Sequence, residues 1–347
     1  SVGRLRRVDD GFALEILDTR PGHEWVHSWK DGARLREGPA QRPAEEPARA
    51  PETPAPTGPS LALALLGRVS FTWPAPSVVP GVARPTEEQR HQAPHRVLVD
   101  HAGRIWISEL STRRVHVFEP SGAELGVREP RPEGLRLHRP VDWLGARDDG
   151  SLLVSADGAV DEFDPAGAWV RRSTLDERLR PRWWFLPQSG ERWEVGSLHE
   201  MRLVGADGRV QRTSERAPNG RWLEALWLSS MDRDGSLAVL DEPIGVARDP
   251  AQWIHLFGPD ARPSHSLRLG QKVDTSRAGA MALRAGRLAL LVEGEVLFLR
   301  EDGSPIGTAP LPSELHEPAF LFFAPGGDEL WVFPHMRAEM WRFEAPG

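Results

Sequence analysis

The segment His23-Glu24-Trp25-Val26-His27 matches the His-Glu-x-x-His pattern of zinc proteases. In that chemistry two histidines on one face of a helix hold the metal, and the glutamate lies beside a metal-bound water. A helix is not expected here, because Pro21-Gly22 precedes the motif and Asp31-Gly32 follows it closely. We therefore expect His23, Glu24 and His27 to be strand residues, with a zinc site as the alternative.

A second pair of histidines, His91 and His95, is also four residues apart, but Pro94 lies between them. We interpret this segment as a polar loop, with a shared metal as the alternative. The chain has no Cys, which excludes disulfides, thiolate metal sites and cysteine nucleophiles. It also lacks a phosphate-binding loop, a dinucleotide-binding glycine motif and a nucleophile elbow. A Ser–His–Asp set stays open, because its members need not be close in sequence.

The charge balance limits the partners. The formal net charge is -7, which argues against nucleic-acid binding because that requires a basic surface. The most apolar segment, Leu61–Leu66, is far too short to span a bilayer. The chain starts with Ser1, which permits processing, and we expect an extracytoplasmic rather than a cytoplasmic protein.

A turn-marked motif recurs along most of the chain, and its strands must position these residues. Each unit has short apolar runs separated by glycine turns, and successive units are 40–51 residues apart. The first turns of the units fall at Gly103, Gly150, Gly190, Gly235, Gly286 and Gly327. A period near 45 residues with about four strands is typical of a β-propeller blade. The pattern predicts an all-β fold, a six-bladed β-propeller.

Three regions follow along the chain. We predict a short β unit over residues 1–36, a linker rich in Pro, Ala and Glu over 37–60, and the propeller over 61–347. The last repeat stops at Gly347 after its third strand, so we predict that Leu61–Trp73 supplies the fourth. A seven-bladed ring that counts residues 1–36 as a blade is the alternative.

The first repeat has an apolar strand, a glycine turn, a strand with an aromatic residue, and an Arg-Val-x-Val-Phe segment before another glycine turn. Its residues are Val97, Val99, Gly103, Ile105, Trp106, Ile107, Arg114, Val115, Val117, Phe118 and Gly122. This repeat resembles an NHL-type repeat, and residues 94–346 are similar to the six-bladed propellers of the NHL and gluconolactonase-like superfamily. The resemblance implies that an enzyme of this kind would hold a divalent cation at the channel mouth with Glu, Asp and Asn side chains. Asn219 is the chain's single Asn, so that ligand set cannot be assembled in the usual way.

A different set of oxygen ligands would have to come from residues at the channel rim. Positions just before first strands, or at the ends of second strands, are expected to ring the channel in this fold. The candidates are His95, Asp142, Glu224 and Glu317 on one rim, with Glu109, Asp157 and Asp241 in addition. Each is also the kind of residue that caps a loop or links two blades.

These patterns favour a non-catalytic binding or scaffolding propeller that presents a loop-decorated face to a protein or small ligand and needs no cofactor. The insertion between Asp241 and Trp253 is the candidate binding loop, because it lengthens one unit only. The alternative is a metal-dependent hydrolase or lyase of the gluconolactonase-like kind. It would act at the central channel with a divalent cation.

Overall fold

The computed structural model describes the repeats and their closing segment, with gaps at several connections. The described residues are 2–8, 11–20, 23–30, 33–39, 59–73, 94–100, 102–110, 114–129, 141–147, 149–156, 159–174, 182–185, 192–195, 200–205, 209–221, 223, 225–232, 234–242, 252–260, 262–269, 281–292, 294–315, 319–335 and 337–347.

The chain divides into two compact units, residues 1–49 and residues 50–347. The first unit is a four-stranded antiparallel sheet in which each strand pairs with the next along the chain. Its strands are β1 (Val2–Val8), β2 (Gly11–Arg20), β3 (His23–Lys30) and β4 (Ala33–Pro39).

The second unit contains six four-stranded antiparallel sheets, which are the blades. Blade 1 consists of β6 (Pro94–Val99), β7 (Ile105–Glu109), β8 (Val115–Phe118) and β9 (Glu124–Arg128). Blade 2 consists of β10 (Trp143–Ala146), β11 (Leu152–Ala156), β12 (Ala159–Phe163) and β13 (Trp169–Thr174). Blade 3 consists of β14 (Arg182–Phe185), β15 (Arg192–Val195), β16 (Met201–Val204) and β17 (Val210–Ser214). Blade 4 consists of β18 (Ala225–Met231), β19 (Leu237–Glu242), β20 (Trp253–Phe257) and β21 (Pro263–Arg268). Blade 5 consists of β22 (Met281–Arg284), β23 (Arg287–Val292), β24 (Glu295–Arg300) and β25 (Pro305–Pro310). Blade 6 consists of β26 (Ala319–Phe323), β27 (Glu329–Pro334), β28 (Glu339–Glu344) and β5 (Leu65–Ser70).

The prediction of an all-β, six-bladed propeller is confirmed. Among the described residues the helical structure is one short 3-10 turn, Ser313–Leu315. No helix in this described part has the length and apolar character needed to cross a bilayer.

The predicted closing strand lies where the sequence placed it. The segment β5 pairs antiparallel with β28 in blade 6, with Met340 opposite Val69 and Trp341 opposite Arg68. The last blade is therefore built from both ends of the propeller sequence. The pairing covers the edge of β28 that would otherwise have unpaired backbone groups.

Apolar side chains fill the spaces between neighbouring blades. Second strands such as β7 are buried along their whole length, which explains their continuous apolar sequence. Trp106 of blade 1 packs with Leu152 and Val154 of blade 2, and Ile105 of blade 1 packs with Trp331 of blade 6. The second of these clusters joins the first blade to the last and so closes the ring.

The chain just before β5 also covers blade 5. The amide of Leu61 donates to the carbonyl of Thr308 at 2.8 Å, and the amide of Thr308 donates to the carbonyl of Pro59 at 3.2 Å. Ser60 thereby forms a parallel bridge with Thr308, a residue of the outer strand β25. Residues 59–70 thus contact blade 5 first and then complete blade 6, which ties these two blades together.

Gly307 makes this close approach possible. A Cβ atom at this position would lie 2.5 Å from Cγ of Leu61 and 2.6 Å from the carbonyl oxygen of Pro59. We predict that Gly307→Ala lowers the free energy of unfolding by about 1–3 kcal/mol, the usual effect of overpacking a buried contact. Urea unfolding measures the loss, and limited proteolysis should cut within residues 59–64 more rapidly.

Gly67 provides the matched control for this substitution. It lies in the same closing segment, and a Cβ atom there would have nothing within 4 Å. The variant Gly67→Ala should stay within about 0.5 kcal/mol of the unchanged protein. Equal stability of the two variants would contradict the role given to the Pro59–Leu61 contact.

Candidate functional site

Two histidines occupy equivalent places in blades that are three positions apart in the ring. His116 on β8 lies opposite Ile107, and His255 on β20 lies opposite Val239. Both are buried, with 5% and 1% of their surfaces exposed. In each second strand an acidic residue lies two positions beyond the residue opposite the histidine: Glu109, the last residue of β7, and Asp241, the last but one of β19.

In blade 1 both ring nitrogens of His116 face carboxylates. Nε2 lies 3.0 Å from Oε1 of Glu109, and Nδ1 lies 3.0 Å from Oε1 of Glu124. A carboxylate is an acceptor, so both nitrogens donate only when the imidazole is protonated. Burial lowers the pKa of His116, but the hydrogen bonds and charges of Glu109 and Glu124 outweigh it and raise the pKa above 6.5.

Trp73 packs on His116. The ring centroids of Trp73 and His116 are 4.5 Å apart, and Phe118 lies 6.4 Å from Trp73. Trp73 stands three residues beyond the end of β5, where the chain leaves the closing segment. A protonated imidazole over an indole gains cation–π attraction, so protonation of His116 strengthens the contact between the closing segment and blade 1.

In blade 4 the buried histidine lies between a carboxylate and a hydroxyl. Nε2 of His255 is 3.3 Å from Oδ2 of Asp241, and Nδ1 is 2.9 Å from Oγ of Ser266. These are the residue types of a hydrolytic triad, which the sequence left open. Here, however, Oγ of Ser266 also accepts the amide of Asn219 at 3.2 Å, and the ring of Trp253 stacks on His255. We therefore interpret the set as a tie between β19, β20, β21 and the chain that enters blade 4.

Two of the predicted rim residues are turned into the sheets. Glu109 is fully buried and Asp241 is 6% exposed, and each holds the histidine described above. Asp142 is exposed and lies immediately before β10. Burial of Arg96 lowers the pKa of its guanidinium, and the negative charge of Asp142 partly offsets that effect. The other three predicted rim residues, Glu224, Glu317 and Asp157, lie outside the described residues.

His95, on the first strand of blade 1, is brought next to His335 of blade 6. The two ring centroids are 5.7 Å apart with an interplanar angle of 68°, and Phe320 lies 6.1 Å from His335. Burial, followed by the charges of Arg96 and His335, lowers the pKa of His95 to about 3, so its ring is neutral near pH 7. His91, the partner considered from sequence, lies outside the described residues.

The His-Glu-x-x-His motif lies on strand β3 and not on a helix. Within β3, His23 pairs with Arg20, Glu24 with Thr19 and His27 with Ile16 of β2. The helical arrangement that a zinc protease requires is therefore absent from these residues. Across the described part of the chain, no group of three or more His, Asp or Glu side chains is placed to hold a metal ion.

Sequence reasoning missed three residues of these sites: His116, His255 and His335. A signal for the first two exists, because each is followed two residues later by Phe in its third strand and preceded by an acidic residue at the end of the second strand. The signal for His335 is weaker. His335 follows Pro334, just as His95 follows Pro94, but only closure of the ring brings these two Pro-His segments together.

Comparisons with known proteins identify the architecture and nothing narrower. No family model and no curated protein matches the chain. The WD40 domain of Neurospora crassa Pan2 is similar over 100% of this chain and 89% of its own, at 8% identity and a TM-score of 0.50. The C-terminal WD40 domain of Sif2 matches 73% of this chain and 82% of its own, at 10% identity and a TM-score of 0.50. Virginiamycin B lyase from Staphylococcus aureus matches 73% of this chain and 95% of its own, at 14% identity and a TM-score of 0.46.

The charge on His116 makes the stability of the fold depend on pH. Its pKa is raised on folding, so its stabilising contribution is complete below the unfolded pKa of 6.5 and is lost as pH rises through the folded pKa. We predict that His116→Gln removes this dependence and lowers the free energy of unfolding by about 2 kcal/mol at pH 6. Urea unfolding between about pH 5.5 and pH 9 measures both effects.

The exposed His265 supplies the control, since His265→Gln should keep the dependence of stability on pH seen in the unchanged protein. A free energy of unfolding that does not change with pH in the unchanged protein would refute the role given to His116.

The hydroxyl of Ser266 has two partners, and its removal should destabilise blade 4. We predict that Ser266→Ala lowers the free energy of unfolding by about 1–3 kcal/mol, because Nδ1 of His255 and the amide of Asn219 both lose their partner. Ser264 is on the same strand but exposed, with a hydroxyl that contacts His265. Ser264→Ala should change the stability by less than about 0.5 kcal/mol, and denaturant unfolding of both variants compares them directly. Similar losses in both would show that the tie contributes nothing specific.

Proposed function

We propose that this chain is a binding or scaffolding propeller that presents the loops on one face of its ring to a protein or small ligand. One observation carries the proposal. Glu109 and Asp241 lie at the last and the last but one position of second strands, where a channel-mouth metal site would draw its oxygen ligands. Both are buried, and each holds a histidine inside a blade. Their carboxylates brace the sheets, so they are not available as ligands for a hard cation or a substrate.

The same buried pairs support rigid display of the loops. In blade 4 the ends of the connection between β19 and β20 are registered against each other, with Asp241 opposite Trp253. Gln252 is 1% exposed, and its carbonyl accepts the amide of Leu269 at 2.9 Å. A loop with a fixed base loses less conformational entropy on binding, which favours affinity and specificity. Residues 243–251 of this loop lie outside the described residues.

The resemblance of the first repeat to NHL-type repeats does not separate this proposal from its alternative, because one propeller scaffold supports both binding and catalysis. The metal-dependent hydrolase or lyase is the competing function. It requires a cation held by several oxygen donors and turnover that depends on that cation. The experiment below separates the two.

The test replaces residues 243–251 by a Gly/Ser segment of equal length. The unchanged chain and the variant are used as baits for cross-linking in lysate of the native source, with captured proteins quantified by mass spectrometry. We expect the unchanged chain to enrich a discrete partner, and the variant to lose at least about tenfold of that enrichment, because specificity lies in the loops. Circular dichroism and urea unfolding check that the variant still folds.

The control alters the turn at the other end of the same strand β20. Asp260 and Arg262 are both exposed there and form an ion pair at 2.9 Å. The double variant Asp260→Asn, Arg262→Ala should capture the partner as well as the unchanged chain. Loss of capture in this control alone would place binding on the opposite face. Hydrolysis of a lactone panel that requires Ca²⁺, Mn²⁺ or Zn²⁺, with no partner captured, would overturn the proposal in favour of the hydrolase.

A further inference from the structure

A histidine pair lies at the junction of blades 6 and 1, in blades other than the one that carries the connection between β19 and β20. His95 belongs to the innermost strand of the first blade, and His335 follows the second strand of the last. Their ring centroids are 5.7 Å apart. The two residues are distant in sequence, and ring closure alone places one imidazole against the other.

The hydrogen bonding of His95 leaves one nitrogen bare. The imidazole donates to the carbonyl of Val141, and Nδ1 is buried without any hydrogen-bond partner. The donor is therefore Nε2, and Nδ1 carries an unprotonated lone pair sealed from water. Metal-binding histidines show this arrangement, with one nitrogen anchored on a backbone carbonyl or carboxylate and the other directed at the metal. A buried acceptor without a donor is otherwise unfavourable by about 1–3 kcal/mol.

The separation of the two rings fits a shared ion. Two imidazoles that bind one Zn²⁺ through bonds of about 2.0–2.1 Å have centroids roughly 5–6 Å apart for angles near the tetrahedral value. The positive charge of the neighbouring Arg96 opposes a cation, and the carboxylate of Asp142 counters that charge.

We propose that His95 and His335 together bind a dication that prefers imidazole ligands, Zn²⁺ or a similar late transition metal, and that this ion links blade 6 to blade 1. Of the described residues these two supply the protein ligands, and water or a bound ligand completes the coordination. The site differs in donor chemistry from an oxygen-lined cation site, so Mg²⁺ and Ca²⁺ should not occupy it. Because the ion binds only when the two blades meet, it stabilises the closed ring in proportion to its concentration.

The test measures metal binding by the full chain without a polyhistidine tag, after treatment with a chelator. Zn²⁺ and Ni²⁺ are titrated by calorimetry, and bound metal is counted after dialysis. We expect about one ion per chain, an affinity that falls by about tenfold or more in His95→Gln and in His335→Gln, and no change in His265→Gln, whose ring is exposed. Zn²⁺ should also raise the midpoint of thermal unfolding of the unchanged chain, and should not raise that of His335→Gln.

Three results would overturn this proposal. The first is binding of Zn²⁺ and Ni²⁺ by the unchanged chain that is weaker than about 1 mM. The second is equal binding by the unchanged chain and both variants, which would place the metal elsewhere. The third is Mg²⁺ or Ca²⁺ binding that His335→Gln abolishes. If His95→Gln does not fold, His335→Gln decides the question alone. None of these results bears on the proposed partner binding, which is measured separately.

Discussion

Each blade of this protein has apolar side chains on both faces, and a four-stranded sheet can bury both only between two neighbours. That constraint determines the architecture: six blades in a ring supply two neighbours to each, whereas an open row would leave two faces exposed. Trp106 and Ile105 illustrate it, since adjacent residues of one strand pack against blades 2 and 6. Closure is therefore a requirement of the hydrophobic core and not a secondary feature of the fold.

Within this apolar framework, buried polar groups connect the strands of single blades. His116 and His255 occupy the same register position, three blades apart, with different partners: two carboxylates for the first, a carboxylate and a hydroxyl for the second. Each of these two imidazoles has a polar partner at both ring nitrogens, which avoids the cost of a buried nitrogen without a hydrogen bond. Each tie thereby fixes the spacing of the second, third and fourth strands at the end of the blade that carries the long connections.

The fold was predictable because its signals are local. Glycine turns such as Gly103, apolar runs such as Ile105–Ile107, and a last repeat lacking a strand gave the blade count and the closing segment β5. The sites were less predictable, since the sequence places Glu109 and Asp241 at strand ends without revealing on which side they lie. Their direction follows from the pleat and from a histidine on the neighbouring strand. The contact of His95 with His335 depends on closure of the whole ring, which no local pattern encodes.

The junction of blades 6 and 1 differs from the other five in the length of chain that its contacts close. Five of the six junctions join blades that are consecutive in sequence, whereas this one joins residues separated by most of the propeller, so its formation carries the largest loop-closure entropy. Contacts there must offset that entropy: β5 pairs with β28, Trp73 packs on His116, and His95 meets His335. A proton or an ion that binds only when the two ends of the ring meet stabilises the closed ring by the free energy of that binding, so this junction is a place where solution conditions can adjust the stability of the whole propeller.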